Sequence, residues 1–417
     1  MGLLVPHGRR RPAHGAVALS RRYRTLDDLD VAGKRVLVRL DLNVPLDGGR
    51  VADDTRIAAS LPTVRELLER GATLFLMSHL GRPKGGPDDA YRLGPVAERM
   101  AELLGREVRY RPTPGPGSPE QQAFVAEAPP GSVTLLENTR FDARETKNDP
   151  ELARTLASYA DVYVNDAFGS AHRAHASTEG VARLLPSAAG RLMLAETEAL
   201  SRLVDRPERP FVVVLGGAKV SDKLGVIRSL LGKADSLLVG GAMAYTFVKA
   251  QGGEVGGSLV EEEMLGTARE LIEQAAAADV PLRLPGDSVC AAAPSPGAER
   301  GVYPSDAIPA GLKGLDIGPA AREAFTAALR GAKTVFWNGP MGVFEVEGFD
   351  EGTLAVARAL ASLEGAFTVV GGGDSVAAVN RAGVADAISH VSTGGGASLE
   401  FVENGDLPGL AVLRHDG

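Results

Sequence analysis

The chain has 417 residues, 44% of them hydrophobic, a single cysteine and a formal net charge of -8. That length and apolar content suit two cored domains; the mildly acidic balance argues against nucleic-acid or anionic-membrane binding as the main activity. The lone Cys290 excludes an intrachain disulfide and a multi-cysteine metal site, and no apolar run approaches the roughly 20 residues that span a bilayer, so a soluble, cytoplasmic protein without a membrane partner is expected.

Residues 1–24 hold arginines and no acidic residue, and "GAVALS" is too short for a signal-peptide core. They read as a dispensable, disordered extension or a misassigned start, with a targeting leader as the alternative. Beyond them, short aliphatic runs alternate with longer segments of helical period. "RVLVRLDLNV", "ATLFLMSHL", "SVTLLENTRF" and "ADVYVNDAF" are the runs of the first half; "FVVVLGG", "SLLVGGAM", "TVFWNGPM", "FTVVGGG" and "ISHVSTGGG" are those of the second. Strands that are apolar on both faces and separated by helices predict parallel βα units. The expected fold is α/β, with two doubly wound, Rossmann-like parallel-sheet domains joined by a connecting helix and hinge. The domain limits are placed at 25–190 and 191–398, and the connecting helix starts near Arg191.

The two halves end their strands differently. In the first, the ends and following loops carry Asp41, Asn43, His79, Arg82, Arg140, His172, Arg173 and His175, with Arg56 on the next predicted helix. In the second they carry glycines: Gly216 and Gly217, Gly240 and Gly241, Gly339, then the triplets at 371–373 and 394–396. Ligands of such sheets sit beyond the carboxyl ends of the strands. The pattern predicts an anion site read by arginine forks in the first domain and a phosphate or nucleotide site read by backbone amides at helix starts in the second.

Each element also has a plainer reading. A single glycine triplet is ordinarily a turn, but two at equivalent corners of one sheet favour an anion at the helix starts. Asp374 is either an N-cap or an oxygen ligand for Mg²⁺. Lys219 and Lys223 are four apart, hence on one helix face, either a solvated stripe or a reach toward phosphate. The histidines beside Arg82 and Arg173 suit an anion better than a metal, with no cysteine to join them. Neither glycine triplet fits a Walker A loop or a G-x-G-x-x-G fingerprint.

The strings "RLDLNVP", "SHLGRPKG", "NDAFGSAHRAHAST", "LGGAKVSDK", "FWNGPMGVFE", "GGGDS" and "STGGGASLE" occur in this order. Together they closely resemble the phosphoglycerate kinase family, from about "RTLDDLDVAG" to "LPGLAVL". The resemblance implies reversible phosphoryl transfer between 1,3-bisphosphoglycerate and MgADP, giving 3-phosphoglycerate and MgATP, by a hinge-bending monomer. It implies that Asp41, Asn43, Arg56, His79, Arg82, Arg140 and Arg173 hold the triose phosphate, with Arg56 reaching the phosphoryl group. Lys219, Lys223, Asn338, Asp374 and Ser375 are implied at the nucleotide phosphates and Mg²⁺, Glu345 at the ribose, and Gly240 and Gly241 at the adenine cleft. The amides of Gly372, Gly373, Gly395 and Gly396 then face the group in transit. It further implies that the chain after about Leu399, through residue 417, returns to the first domain. Thr139 departs from the aliphatic residue usual there. Another acyl-phosphate kinase and a catalytically silent relative are the rival readings; the second would be expected to lack Arg56, Lys219 or Asp374, and all three are present.

Overall fold

A computed structural model describes residues 22–415 of the chain. They divide into two compact units, one built from the chain up to Glu198 together with the segment from Leu407, the other from Ala199–Asp406. The first division falls inside a single helix, Arg191–Asp205, and the second eight residues beyond the predicted Leu399.

The first unit is a five-stranded sheet whose strands are β1 (Arg35–Arg39), β2 (Thr73–Met77), β3 (Val133–Leu135), β4 (Val162–Asn165) and β5 (Ser187–Ala189), in the order β3-β2-β1-β4-β5. All neighbours are parallel, with Leu37 opposite both Phe75 and Tyr163. The strands are buried along nearly their whole length, as a sheet covered on both faces requires. The order reverses between β1 and β4, so the loops after these strands diverge and leave a crevice at their carboxyl ends. Helix α1 (Thr55–Glu69) follows β1 and carries Arg56 in its first turn.

Both ends of the described chain lie in this unit. The Gly409 amide donates to the Ala171 carbonyl at 2.8 Å, and Arg24 donates to Ser187 O at 2.8 Å and to Val412 O at 2.7 Å. Tyr23 bridges to Arg414 and has no exposed surface. This corrects the expected extension over 1–24: Tyr23 and Arg24 are parts of the domain, joined to it by the backbone bridge to Arg414 and by the Arg24 hydrogen bonds to Ser187 and Val412. Residues 1–21 lie outside the described residues.

The second unit is built on a six-stranded parallel sheet of β6 (Phe211–Leu215), β7 (Ser236–Val239), β8 (Leu282–Arg283), β9 (Thr334–Asn338), β10 (Phe367–Gly371) and β11 (His390–Val391), in the order β8-β7-β6-β9-β10-β11. Its reversal lies between β6 and β9, which pair in parallel with Phe336 opposite Val213. Trp337 fills the core below this point, and its indole N–H is satisfied by the Gly339 carbonyl at 2.8 Å. One feature differs from the purely parallel expectation. Asp287–Ala291 pairs antiparallel with Gly301–Pro304 and Lys313–Ile317 in a separate three-stranded sheet.

Candidate active site

In the first unit the sequence-predicted residues gather at the carboxyl ends of β1, β2 and β4 and in the turn after β3. Asp41 is nearly buried, and its Oδ2 accepts from Arg56 Nη1 at 2.7 Å. Asn43 Oδ1 accepts the Gly81 amide at 2.8 Å, while Arg140 Nη1 donates to the Gly81 carbonyl at 2.6 Å, so the "SHLGRP" loop is held between the two. Arg82 and Arg173 are exposed, and Arg173 Nε donates to His172 Nε2 at 3.1 Å. Thr139 is fully buried, its amide donating to Ser78 O at 3.0 Å, while its hydroxyl, the group an aliphatic residue would lack, is buried without a hydrogen-bond partner.

The electrostatics show how closely these charges converge. Burial lowers the Arg140 guanidinium, and the charges of Arg39, Arg173 and Arg82 lower it further against Glu145. Burial pushes His79 down to about 3; Asp41 pulls it up, and Arg39, Arg140 and Arg56 push it down. His175 falls to about 4 for the same reasons, burial first and then Arg39, Arg140 and Arg173. Both imidazoles are therefore neutral at neutral pH, and the positive charge of the cluster resides in its arginines. Burial raises Asp41, but the positive charges around it, Arg56 and Arg39 among them, hold it below the usual carboxylate range.

Two members of this cluster were missed at the sequence level. Arg39 is 1% exposed and donates through Nε to Ser177 Oγ at 2.9 Å. Glu145, also buried, accepts the Ser177 hydroxyl at 2.5 Å and provides the opposing charge. The available signal was an arginine inside an otherwise aliphatic strand, "RVLVRL", where a charge needs a buried partner.

In the second unit a cavity of about 350 Å³ lies where the corners after β6, β9, β10 and β11 meet. It is lined by Lys219, Lys223, Asn338, Gly372, Gly373, Asp374, Gly395 and Gly396 among others. Helices α2 (Gly373–Arg381) and α3 (Gly396–Asn404) both begin at its wall, after glycines with φ of +89° at Gly372 and +52° at Gly395. Such angles favour glycine. Neither helix has a side-chain N-cap, which leaves first-turn amides and the positive dipole ends facing the space. A Cβ on Gly373, Gly395 or Gly396 would meet no atom within 4 Å.

Asn338 Nδ2 is buried and has no hydrogen-bond partner, while its Oδ1 accepts from Lys223 Nζ. A buried amide donor left unpaired costs about 1–3 kcal/mol unless something arrives to accept from it. Burial brings Lys223 down to about 8, against Asp222 and Asp374, which raise it. Asp374 sits in the first turn of α2 with its side chain exposed and making no cap, so the N-cap reading does not hold. The expectation that Lys219 and Lys223 share one helix face is corrected as well. The helix starts only at Leu224, placing Lys223 at its N-cap and Lys219 in the loop before it.

Gly240, Gly241, Glu345 and Ser375 do not line this cavity. A Cβ on Gly240 would stand 2.4 Å from Met341 Sδ, and one on Gly241 2.5 Å from Gly217 O, so close packing of corners accounts for both glycines. Ser375 Oγ accepts the Gly339 amide at 2.7 Å and ties β9 to α2. Glu345 is exposed on the loop after β9. Among the described residues no three His, Cys, Asp or Glu side chains cluster as a resident metal site, and no helix is long and apolar enough to cross a membrane.

An arginine-rich anion cluster in one α/β unit and a glycine-walled, lysine-bearing cavity in the other define a phosphotransferase of the two-domain kinase class. A family model for phosphoglycerate kinase matches residues 26–405. The chain belongs to the phosphoglycerate kinase family. A phosphoglycerate kinase of Thermus thermophilus is 63% identical over 391 residues, covering 94% of this chain and 100% of that protein. One from Roseiflexus castenholzii is 56% identical over 391 residues, covering 94% and 99%. Among solved structures, phosphoglycerate kinase from Coxiella burnetii superposes with a TM-score of 0.83 at 40% identity, covering 94% of this chain and 98% of that one. The enzyme from Pyrococcus horikoshii does so with 0.81 at 34%, covering 93% and 98%.

Proposed function

We propose that the enzyme transfers a phosphoryl group reversibly between the acyl phosphate of 1,3-bisphosphoglycerate and MgADP, with the triose on the first unit and the nucleotide on the second. The observation that carries the second assignment is the cavity with two uncapped helix starts and the unpaired Asn338 amide on its wall. Phosphate oxygens satisfy all three at once. In the first unit Arg56, Arg82, Arg140 and Arg173 compensate the triose phosphate and carboxylate, and Asp41, Asn43 and His79 orient them.

Phosphoryl transfer requires no covalent nucleophile; positioning and charge compensation carry it. Arg56 and Lys219 neutralise the equatorial oxygens, and the amides of Gly372, Gly373, Gly395 and Gly396 donate to the group in transit. Lys223 and Asn338 hold nucleotide phosphates, and Ser375 keeps the β9 corner in place behind them. The exposed Asp374 carboxylate would supply an oxygen ligand of the kind Mg²⁺ prefers, and the ion would neutralise charge on the nucleotide phosphates. Gly240 and Gly241 form the adenine side and Glu345 meets the ribose. The acceptor carboxylate and the nucleotide must meet with water excluded, so closure driven by both ligands is part of the proposal, as is action as a monomer in the cytoplasm.

A coupled assay of ATP consumption tests the reading. Turnover dependent on both 3-phosphoglycerate and Mg²⁺ is expected, and ADP should be phosphorylated by 1,3-bisphosphoglycerate but not by acetyl phosphate. Comparable rates with acetyl phosphate would assign another acyl-phosphate substrate; no turnover with any donor would indicate a silent relative.

A further inference from the structure

Arg39, at the last position of β1, is a permanent charge almost wholly out of water. Its fork is occupied on several sides. Nε donates to Ser177 Oγ at 2.9 Å, Nη1 to the Leu40 carbonyl, and Nη2 to His79 Nδ1 at 3.1 Å. Behind it Ser177 uses its hydroxyl and its amide, at 2.5 and 3.0 Å, on the two oxygens of Glu145. Glu145 is 1% exposed, so the guanidinium is anchored through Ser177 to a buried anion and is not free to swing.

A guanidinium has donors only. The ring nitrogen that faces it must therefore offer a lone pair, and the single proton of a neutral His79 belongs on Nε2. We propose that Arg39 is a positioning residue that locks His79 in the Nε2–H form, so that the other edge of the ring donates to an anionic oxygen of the bound substrate. The opposite tautomer would set an N–H against the Arg39 N–H and turn a lone pair toward an anion. Burial keeps the ring neutral as well, bringing His79 to about 3, with Arg39, Arg140 and Arg56 adding to it and Asp41 opposing. Protonation of Nδ1 therefore does not release the lock in the working range of pH. The inference rests on the reading of His79 as a triose contact.

The test uses the full-length enzyme labelled with ¹⁵N-histidine, with the His79 signals assigned by their loss in His79→Gln. Long-range ¹H–¹⁵N correlation at neutral pH should show His79 uncharged, with Nε2 protonated and Nδ1 bare. A protonated Nδ1, or a cationic ring, would overturn the proposal. Adding 3-phosphoglycerate should shift the Nε2–H signal. If the tautomer is as stated but the signal is unmoved in enzyme that binds the triose, the contact reading fails; if the signal moves but the proton is on Nδ1, the lock fails and the contact stands.

Kinetics give a second, independent arm. Arg39→Met should raise KM for 3-phosphoglycerate roughly tenfold with kcat within about twofold, and Arg39→Lys, still donor-only, should restore part of the loss. In a His79→Gln background the same Arg39→Met change should cost much less, because the two residues act as one unit. Equal costs in both backgrounds would mean that Arg39 acts through its own charge, which overturns the proposal. Should Arg39→Met fail to fold, the spectrum of the unaltered enzyme decides.

Discussion

Gly216 and Gly339 meet backbone to backbone at the point where the second sheet reverses its strand order. The Gly216 amide donates to the Asn338 carbonyl at 2.9 Å, and a Cβ on Gly339 would stand 2.2 Å from the Gly216 carbonyl oxygen. Gly339 also holds φ of +96°. The glycines of this unit thus divide into those that let two corners touch and those, such as Gly373 and Gly396, whose missing side chain leaves open space at the cavity wall.

This division predicts opposite phenotypes. Gly339→Ala should lower stability by more than about 1 kcal/mol, because both the dihedral and the carbonyl contact resist a methyl group. Gly373→Ala and Gly396→Ala should leave the urea midpoint nearly unchanged, alanine being the better helix former. Their kcat should nevertheless fall by about tenfold or more, a barrier rise of about 1.4 kcal/mol, since the methyl occupies the space a phosphate oxygen needs. Full activity in both would remove these amides from the transfer step.

Asp374→Asn should weaken MgADP and MgATP binding far more than 3-phosphoglycerate binding. The change removes an anionic ligand oxygen from an exposed side chain that makes no cap in α2, so the fold should be undisturbed. Calorimetric titration of each ligand measures it. Equal weakening of both, or of neither, would take Asp374 out of the metal-nucleotide contact.

Arg56→Ala and Lys219→Ala should each reduce kcat by roughly 10²–10³, corresponding to about 2.7–4 kcal/mol of transition-state stabilisation. Binding of the ground-state ligand on the same unit should change much less, because these charges act most strongly on the phosphoryl group in transit. Steady-state kinetics with equilibrium titrations separate the two effects. A loss confined to KM would reassign either residue to simple substrate binding.

Lys223 should make nucleotide binding pH-dependent. Its folded-state value near 8 lies below the ordinary 10.5, burial being the main cause. The folded protein therefore holds fewer protons than the unfolded chain between about pH 8 and 10.5; this group's contribution to stability rises with pH through that window and is least favourable below it. Nucleotide phosphates favour the ammonium, so binding at about pH 9 should take up a proton and affinity should decline as pH rises past about 8. Calorimetry in buffers of different ionisation enthalpy should show the uptake, and Lys223→Met should abolish it. Proton release on binding would contradict a Lys223–phosphate contact.

Tyr23→Ala should destabilise the enzyme by about 3–5 kcal/mol, the usual cost of emptying a buried aromatic site. The ring has no exposed surface and belongs to the first unit. Chemical denaturation would measure the effect. An unchanged midpoint would mean that the docking of Tyr23 against the C-terminal segment contributes nothing to the fold.

The parallel sheets were legible because their signal is local. A run such as "TLFLM" is apolar on both faces wherever it is placed, and the residue that follows a strand of such a sheet falls at its carboxyl edge. The sequence alone therefore places His79, Arg140, Arg173 and the glycine triplets on that edge. Their family roles came from motif order, a property of the chain alone. What depended on tertiary structure was every question of who stands opposite. Arg39 is a buried anchor only because Ser177, 138 positions away, links it to Glu145. Tyr23 is core only because Arg414 lies across from it. Gly339 touches backbone and Gly396 faces empty space although both follow strands of one sheet. Strand propensity and periodicity are set by neighbours along the chain, whereas burial of a charge, the covering of a ring and the room for a phosphate are set by atoms that folding alone brings near.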